Sequence, residues 1–332
     1  MPKKNRPVRP KVIVTRRLPA SIEARMAELF DTVLCANDAP MSRSDLAAAM
    51  AACDVLVPTV TDIIDAELLE NASDRLQMIA NFGNGVDHID LHSARKKGII
   101  VTNTPGVLTE DTADMAMALI LTTPRRFIEG DKIIRAGQWP GWSPCFMLGR
   151  RIGGKQLGIV GMGRIGQAIA RRARAFGLSV AYHNRHRLPT SAEAETGAIW
   201  CDDIDQLMAE SDIISLNCPL NNDSRRMIDA RRIAMMKPTA FLINTARAEI
   251  CDEQALAEAL EKGRIAGAGL DVYSDEPNVN PRLLALPNVV LLPHMGSATH
   301  EAREATGDKV IANIRTWVDG HRPKDQVLEG LI

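Results

Sequence analysis

The stretch Leu157-Gly-Ile-Val-Gly-Met-Gly-Arg-Ile-Gly166 decides the fold of this chain. Four apolar residues typical of a buried strand lead directly into the spacing GxGxxG, and apolar residues at helical intervals continue after it. Residues 180–183 read as the next strand. This order of strand, glycine turn, helix and strand is typical of a unit that binds the pyrophosphate of a dinucleotide, and we predict such a site here.

The three glycines have separate predicted roles. Gly161 permits the tight turn, Gly163 lets the backbone approach a pyrophosphate, and Gly166 allows the helix to pack closely on the strand. The amides at the start of the helix supply hydrogen bonds and partial positive charge to the phosphates. We therefore assign the turn and the first helical residues, Arg164 and Ile165, to cofactor binding.

The residues after the second strand predict which dinucleotide binds. An acidic residue about 20 residues beyond the glycines is typical of NAD binding, but the chain reads Asn184-Arg-His-Arg187. Asn184 does not repel a 2′-phosphate, and Arg185 and Arg187 can donate charge-assisted hydrogen bonds to it. We predict a preference for NADP(H), with NAD(H) as the alternative cofactor. The structural alternative is that both arginines are simply solvated.

Short apolar runs alternate with amphipathic segments along almost the whole chain, a pattern typical of βα units on a parallel sheet. Five candidate strands precede the glycine turn, at residues 11–14, 32–35, 54–57, 77–80 and 98–101. Six belong to the second series, at residues 157–160, 180–183, 213–216, 240–243, 268–271 and 289–292. We predict an α/β protein whose second series forms a doubly wound dinucleotide fold of six strands.

Two amphipathic segments mark the domain boundaries. Residues 109–135 predict a long helix that carries the chain from the first domain to the second, and residues 310–317 predict a helix that crosses back. The first domain then recovers the C-terminus and is discontinuous. We place a flavodoxin-like substrate-binding domain at residues 1–103 plus 299–332 and a Rossmann coenzyme-binding domain at residues 104–298.

Composition restricts the partners. Forty Lys and Arg against 41 Asp and Glu give a net charge of −1, which leaves no positive surplus for nucleic acid. No apolar run approaches the roughly 18 residues of a membrane span, and the basic start at residues 1–6 is not followed by an apolar signal core. We predict a cytoplasmic protein that binds small molecules, without a nucleic-acid or membrane partner.

The cysteines and histidines give no metal motif. The six cysteines are scattered without CxxC spacing and predict buried free thiols. His88 and His92 are spaced like a pair of ligands on a helix, but two ligands rarely suffice for a metal ion. We interpret them as part of a solvated helix face and predict no metal site.

Three segments that end predicted strands of the second domain carry Arg247, Glu276 and His294. Open α/β sheets bind ligands at the carboxyl ends of their strands. Arg247 can bind a carboxylate as a two-pronged fork, His294 can supply a proton, and Glu276, if bonded to His294, favours the imidazolium and fixes its tautomer. With a nicotinamide hydride, this set can reduce a 2-oxo acid. Taken singly, an ion pair, a turn carboxylate and a loop histidine are the structural alternatives.

From residues 81–90 and 103–110 through the glycine turn to these three segments, the chain resembles the D-isomer-specific 2-hydroxyacid dehydrogenases. The resemblance implies two doubly wound, Rossmann-like parallel-sheet domains with the active-site cleft between them, and a homodimer built mainly through the coenzyme domains. It assigns Arg247 to the substrate carboxylate, His294 to proton transfer and Glu276 to the histidine.

The resemblance also implies further binding residues. Asp271 would face the nicotinamide carboxamide, Pro219 and Thr245 would line the cofactor groove, and Gly296 belongs to the same cofactor set. Backbone amides of the Gly83-Asn84-Gly85 loop would hold the substrate carboxylate from the first domain. Asn84 replaces a more usual apolar residue there, which leaves the substrate preference open.

Within the family, the Asn184-Arg185 pair, the Trp142-Ser-Pro144 loop and residues 293–299 look most like glyoxylate and hydroxypyruvate reductases. In such reductases a tryptophan of the partner subunit reaches the substrate pocket. Trp142 is the candidate, ahead of Trp139, and packing within the dimer is the alternative role.

The resulting expectation is an NADP(H)-preferring D-2-hydroxyacid dehydrogenase that reduces glyoxylate or hydroxypyruvate. One alternative is an NAD-dependent dehydrogenase of another 2-hydroxy acid, such as phosphoglycerate or lactate. The end of the sequence at Ile332 leaves no room for a regulatory domain, which disfavours the longer phosphoglycerate enzymes. A second alternative is a nucleotide-sensing co-regulator of the same fold.

Overall fold

The computed structural model describes residues 7–328, which divide into two compact units. The first unit contains residues 7–108 and 298–328, and the second contains residues 109–297. The domain boundaries predicted from the sequence lie between residues 103 and 104 and between residues 298 and 299. The basic start at residues 1–6 and the end of the chain at Ile332, both used in the sequence analysis, lie outside the described residues.

The first unit contains a five-stranded sheet of order β2-β1-β3-β4-β5, in which every neighbouring pair is parallel. Its strands are β1 (Lys11–Val14), β2 (Asp31–Val33), β3 (Val55–Val57), β4 (Met78–Ala80) and β5 (Ile100–Thr102). Its helices are α1 (Ala20–Leu29), α2 (Arg43–Ala52), α3 (Ala66–Glu70), α4 (Leu91–Lys96) and α13 (His300–Val318). The strand order reverses between β1 and β3, as in doubly wound sheets.

Helix α13 supplies one side of the first unit's core. Val310, Ile314 and Trp317 are buried in the same apolar cluster as Val12 and Val14 of the central strand. These residues recur at helical spacing, so they form one apolar face of α13, and this face packs against the sheet. The two ends of the chain therefore build one core.

The second unit contains a seven-stranded parallel sheet of order β12-β11-β10-β9-β6-β7-β8. Its strands are β6 (Gln156–Val160), β7 (Ser179–His183), β8 (Ala198–Trp200), β9 (Ile213–Leu216), β10 (Phe241–Asn244), β11 (Gly267–Leu270) and β12 (Val289–Leu291). Its helices are α5 (Thr109–Thr122), α6 (Phe127–Arg135), α7 (Arg164–Ala175), α8 (Thr190–Thr196), α9 (Ile204–Glu210), α10 (Ala230–Met235), α11 (Glu253–Glu261) and α12 (Pro281–Leu284). The two parallel sheets confirm the predicted α/β fold class.

The prediction of six strands in the second series was wrong, because β8 is a seventh. This strand lies at the edge of the sheet and has three residues, of which Ile199 is 73% exposed. An edge strand is not covered on every side, so its sequence does not show the continuous apolar run that marks a central parallel strand.

The single long helix predicted over residues 109–135 was also wrong. The chain forms α5 and α6 with a break between them, at Pro124 and at Arg126, which has a φ of 55°. Proline has no N–H to continue the helical ladder, and a left-handed residue turns the chain. Helix α6 is amphipathic but has no buried residue, so its apolar face is not covered by other described parts of this chain.

The fold positions the candidate site by placing the marked segments after the carboxyl ends of strands. Residues 83–85 follow β4 in the first unit. In the second unit the glycine turn follows β6, and residues 245–247, 271–276 and 294 follow β10, β11 and β12. Within residues 7–328, no helix is long and apolar enough to cross a membrane.

We predict that Ile314→Ala lowers the free energy of unfolding by about 2–5 kcal/mol, because the side chain is fully buried. The matched change Ile199→Ala removes the same atoms from a 73% exposed position and should cost under about 1 kcal/mol. Urea denaturation followed by circular dichroism measures both. Equal losses in the two variants would contradict the assignment of α13 to the core.

Candidate active site

The glycine turn between β6 and α7 packs tightly at Gly161 and Gly166 and has free space beside Gly163. Gly161 has a φ of 97°, and a Cβ there would collide with the backbone nitrogen of Cys218. A Cβ at Gly166 would collide with the carbonyl oxygen of Gly161. A Cβ at Gly163 would meet nothing within 4 Å. The turn thus packs tightly against its own sheet and leaves open space at Gly163.

The start of α7 has hydrogen-bond donors to offer. No side chain caps the helix at Gly163, and its first backbone hydrogen bond runs from Gln167 N–H to the Gly163 carbonyl. Among the described residues, the amides of Arg164, Ile165 and Gly166 have no acceptor. Such amides carry the partial positive charge of a helix N-terminus and suit a phosphate. The turn therefore fits the pyrophosphate of a dinucleotide.

Asn184 ties the turn to the end of β7. Its Oδ1 accepts a hydrogen bond of 2.7 Å from the Met162 amide. Arg185 is exposed, and its Nη1 lies 3.6 Å from a carboxylate oxygen of Asp223, which is also exposed. This guanidinium is held only loosely.

Arg187, by contrast, is held firmly. Its Nε and Nη2 donate to the two carboxylate oxygens of Glu193 at 2.9 and 2.8 Å, and its guanidinium lies 5.6 Å from the centre of the Trp200 ring. The hydroxyl of buried Tyr182 donates to the same carboxylate at 2.7 Å. Two predicted phosphate ligands thus differ sharply, because the charge of Arg187 is matched inside the chain.

His294 and Glu276 are brought together from the ends of β12 and β11. His294 Nδ1 lies 2.8 Å from Glu276 Oε2, and the other carboxylate oxygen accepts the Tyr273 amide at 3.0 Å. A carboxylate only accepts hydrogen bonds, so Nδ1 carries the hydrogen. Both side chains are about one-third exposed. The pair therefore has a fixed ring orientation and remains accessible to a ligand.

Glu276 is ionised at neutral pH. Burial raises the pKa of its carboxyl group, but the hydrogen bond and charge of His294, the Tyr273 amide and the charge of Arg247 together hold the pKa below its usual value. The carboxylate is thus kept as an acceptor for His294. The influence of Arg247 places the three predicted catalytic residues in one electrostatic neighbourhood of the second unit.

Asn244, the last residue of β10, shapes the turn that carries Arg247. Its Oδ1 accepts the Ala246 amide at 3.0 Å, and its Nδ2 donates to the Arg247 carbonyl at 2.9 Å. Arg247 Nη1 donates to the Ala246 carbonyl at 2.8 Å. The hydroxyl of Thr245 is buried and has no hydrogen-bond partner among the described residues. Unsatisfied buried hydroxyls are rare in folded proteins, so this one fits a position that a bound cofactor completes.

Asp271 anchors the segment after His294. Its two carboxylate oxygens accept the amides of Met295 and Gly296 at 2.8 and 2.7 Å. The residue is 1% exposed, and burial raises the pKa of its carboxyl group although both amide bonds lower it. Asp271 was predicted to face the nicotinamide carboxamide. Its anchoring role was not predicted, although its place directly after β11 could have suggested it.

The other residues assigned to the cofactor lie close to these strand ends. Pro219 is exposed after β9, and its carbonyl accepts the Ser224 hydroxyl at 2.7 Å. A Cβ at Gly296 would lie 3.0 Å from Asp271 Oδ2, so the segment approaches that carboxylate closely.

In the first unit, the loop after β4 offers amides to an anion. The amides of Gly83, Asn84 and Gly85 have no acceptor among the described residues. Asn84 is exposed, and both glycines are half-buried. Successive free amides of this kind form anion-binding concavities. A carboxylate is a suitable ligand.

The interpretation of His88 as part of a solvated helix face was wrong. His88 is buried and precedes α4, and its Nε2 lies 3.1 Å from Asn81 Oδ1. Of the six free cysteines, Cys53 and Cys251 are buried, and the other four are half-buried or exposed. No group of three or more metal-ligating side chains occurs within residues 7–328.

The aromatic candidates for a partner contact lie after α6. Trp142 is 83% exposed and Trp139 is 54% exposed. On α6 itself, Phe127, Ile128 and Ile134 are between 41 and 56% exposed. Helix α6 and the segment after it thus carry five exposed large apolar side chains, and we call these five residues the α6 surface.

Comparison with known proteins identifies relatives along nearly the whole chain. Residues 117–296 match the family model described as D-isomer specific 2-hydroxyacid dehydrogenase, NAD binding domain. The chain is 46% identical over 324 residues to a glyoxylate reductase of Thermococcus litoralis, covering 96% of this chain and 97% of that protein. It is 43% identical to a glyoxylate reductase of Pyrococcus furiosus, covering 98 and 97%.

Solved structures give the same result. A D-isomer specific 2-hydroxyacid dehydrogenase of Polaromonas sp. matches with a TM-score of 0.89 and 40% identity, over 96% of this chain and all of that one. The NADPH-dependent glyoxylate/hydroxypyruvate reductase of Sinorhizobium meliloti, solved with NADP and malonate, matches with a TM-score of 0.86 and 35% identity, over 97% of both chains. The family model and these relatives show that the chain belongs to the D-isomer specific 2-hydroxyacid dehydrogenase family, as an NAD(P)-dependent oxidoreductase.

Proposed function

We propose that this enzyme is an NADP(H)-preferring reductase of a small 2-oxo acid, with glyoxylate and hydroxypyruvate as the candidate substrates. The observation that carries the proposal is the 2.8 Å contact between His294 and an ionised Glu276, in the electrostatic neighbourhood of Arg247. Relatives named glyoxylate reductases at 43–46% identity support the choice of substrate.

The proposed roles follow from the donors and acceptors. In the second unit, Arg247 is the proposed ligand of a carboxylate and His294 the proposed partner of the neighbouring carbonyl oxygen. In the first unit, the amides of the loop at residues 83–85 are the proposed ligands of the substrate carboxylate. His294 gives the proton on Nε2 to that carbonyl oxygen, while its Nδ1 hydrogen bond to Glu276 fixes the orientation of the ring. The residues of the glycine turn would hold a reduced nicotinamide dinucleotide, which would supply the hydride for the carbonyl carbon. The product is a D-2-hydroxy acid, or glycolate from glyoxylate.

The proposed preference for NADP(H) rests on Asn184 and Arg185. Position 184 carries no negative charge, and its side chain serves the glycine turn through Met162. Arg185 is exposed and loosely held, so it can turn to a 2′-phosphate. Arg187 contributes less than the sequence analysis expects, because Glu193 already occupies two of its donors.

We propose a homodimer in which the α6 surface of one subunit is covered by its partner. A helix without a single buried residue, followed by two exposed tryptophans, is an uncovered apolar surface of the kind that marks protein interfaces. Trp142 is the proposed contact with the substrate pocket of the partner subunit.

The first test measures loss of NADPH absorbance with glyoxylate and hydroxypyruvate. We expect turnover by the natural chain and a kcat lower by about 10²–10⁴ in His294→Asn, because the proton donor is lost. Asparagine tolerates the left-handed backbone at position 294, where φ is 51°. NADPH binding, followed by its fluorescence, should survive in the variant. Tight NADPH binding by the natural chain without turnover of any 2-oxo acid would instead favour a sensor.

The second test separates the two arginines. Arg185→Met should raise the KM for NADPH about tenfold or more and leave the KM for NADH nearly unchanged, since one charge-assisted bond to the 2′-phosphate is lost. Arg187→Met is the matched control and should change the ratio of the two KM values less. A larger effect at position 187 than at 185 would refute the proposed division of roles.

The third test concerns the α6 surface. Ile134→Lys places a charge in the proposed interface and should shift the protein toward monomer in analytical ultracentrifugation. Ile199→Lys, the same change at an exposed position of the edge strand, is the control and should leave the oligomeric state as it is. Identical sedimentation of the natural chain and the Ile134 variant would count against this interface.

A further inference from the structure

We propose that Asn81 and His88 are positioning residues that hold the loop at residues 83–85 with its amides turned toward a carboxylate. The inference rests on the proposed function, in which this loop binds the carboxylate of a 2-oxo acid. Neither side chain needs to touch the substrate, because both act through the backbone.

The carbonyl oxygens of the loop are all engaged by donors from the protein. The Gly83 carbonyl accepts from Asn81 Nδ2 at 3.0 Å and from the Thr104 amide at 3.1 Å. The Gly85 carbonyl accepts from the same Asn81 Nδ2 at 2.8 Å, and the Asn84 carbonyl accepts from Asn103 Nδ2 at 2.8 Å. Three consecutive carbonyls are therefore fixed in direction.

Fixed carbonyls set the direction of the amides. In a planar trans peptide, the C=O of one residue and the N–H of the next point in opposite directions. Pinning the Gly83 and Asn84 carbonyls therefore turns the Asn84 and Gly85 amides away from the protein donors. These amides have no acceptor among the described residues, so they are left for an anion.

Asn81 can do this only in one orientation, and His88 selects it. Both hydrogens of Asn81 Nδ2 are used by the two loop carbonyls, so Oδ1 faces His88 Nε2 at 3.1 Å. An amide oxygen only accepts, so Nε2 of His88 carries the hydrogen. The backbone of His88 is itself fixed, because its carbonyl accepts the Ile64 amide at 2.8 Å.

Burial makes this arrangement costly to lose. Asn81 is 1% exposed and His88 is 7% exposed, so water cannot easily replace a missing donor. The loop contains two glycines and has many other backbone conformations when its carbonyls are released. Without the histidine the loop must be ordered by the substrate itself, which weakens substrate binding.

The test uses variants that change single donors. His88→Phe removes the donor at similar size, and His88→Gln restores an N–H near the position of Nε2. Asn81→Asp is isosteric and still accepts from His88, but it cannot donate to the loop carbonyls. His92→Phe, at an exposed position of α4, is the matched control.

We expect His88→Phe to raise the KM for glyoxylate about 3- to 10-fold, the scale of one net hydrogen bond, and Asn81→Asp to raise it further. The dissociation constant of oxamate, a carboxylate-bearing analogue, should rise in parallel. The KM for NADPH and the kcat at saturating glyoxylate should stay within about twofold, because the loop binds ground and transition states alike. His88→Gln should recover much of the loss.

An unchanged KM for glyoxylate in both His88→Phe and Asn81→Asp, with the natural chain active, would overturn the positioning role alone. Equal losses in NADPH binding and glyoxylate binding would also overturn it, because they indicate a general structural defect. If His88→Phe does not fold, the isosteric Asn81→Asp decides. Failure of the natural chain to turn over any 2-oxo acid or to bind oxamate would reject the proposed function itself.

Discussion

Two hydrogen bonds from the amides of Met295 and Gly296 to the buried carboxylate of Asp271 hold the segment that carries His294 in place. His294 directly precedes these amides, and its ring can meet Glu276 only if the segment keeps its course beside β11. The Asp271 amide in turn donates to the Asn244 carbonyl at 3.0 Å, at the end of the strand that carries Arg247. Asp271 thus links the three strand ends on which the proposed chemistry depends, two through its buried carboxylate and the third through its backbone amide.

The sequence predicted those features that depend on local pattern. Central parallel strands are covered on both faces, so their continuous apolar runs could be located in the sequence. The GxGxxG spacing could be assigned to a tight turn between strand and helix, because a Cβ at Gly161 or Gly166 has no room there. The edge strand β8 and the end of α5 before Pro124 were not predicted from the same local pattern. A strand that the rest of the protein covers only in part lacks the continuous apolar run from which the other strands were predicted.

Contacts between side chains that a turn or loop separates could not be predicted in this way. Arg187 resembles a phosphate ligand in the sequence, yet Glu193 on the following helix accepts two hydrogen bonds from it. His88 resembles a solvated histidine, yet it is buried against Asn81. In both cases the partner is six or seven residues away, and only the path of the chain decides whether the two side chains meet. The proposed catalytic residues Arg247, Glu276 and His294 could be grouped from the sequence because the carboxyl ends of parallel strands fall on one edge of a sheet.

Helix α13 has a consequence for the order in which the protein folds during synthesis. Residues 7–108 include all five strands of the first sheet, but Val310, Ile314 and Trp317 complete its core only after some 200 further residues have left the ribosome. The second unit, by contrast, is a continuous segment that ends before α13 begins. Its core can therefore close while the first sheet still exposes an apolar face, so the unit that is translated first is the one that is finished last. A nascent chain in that interval presents a surface that chaperones bind.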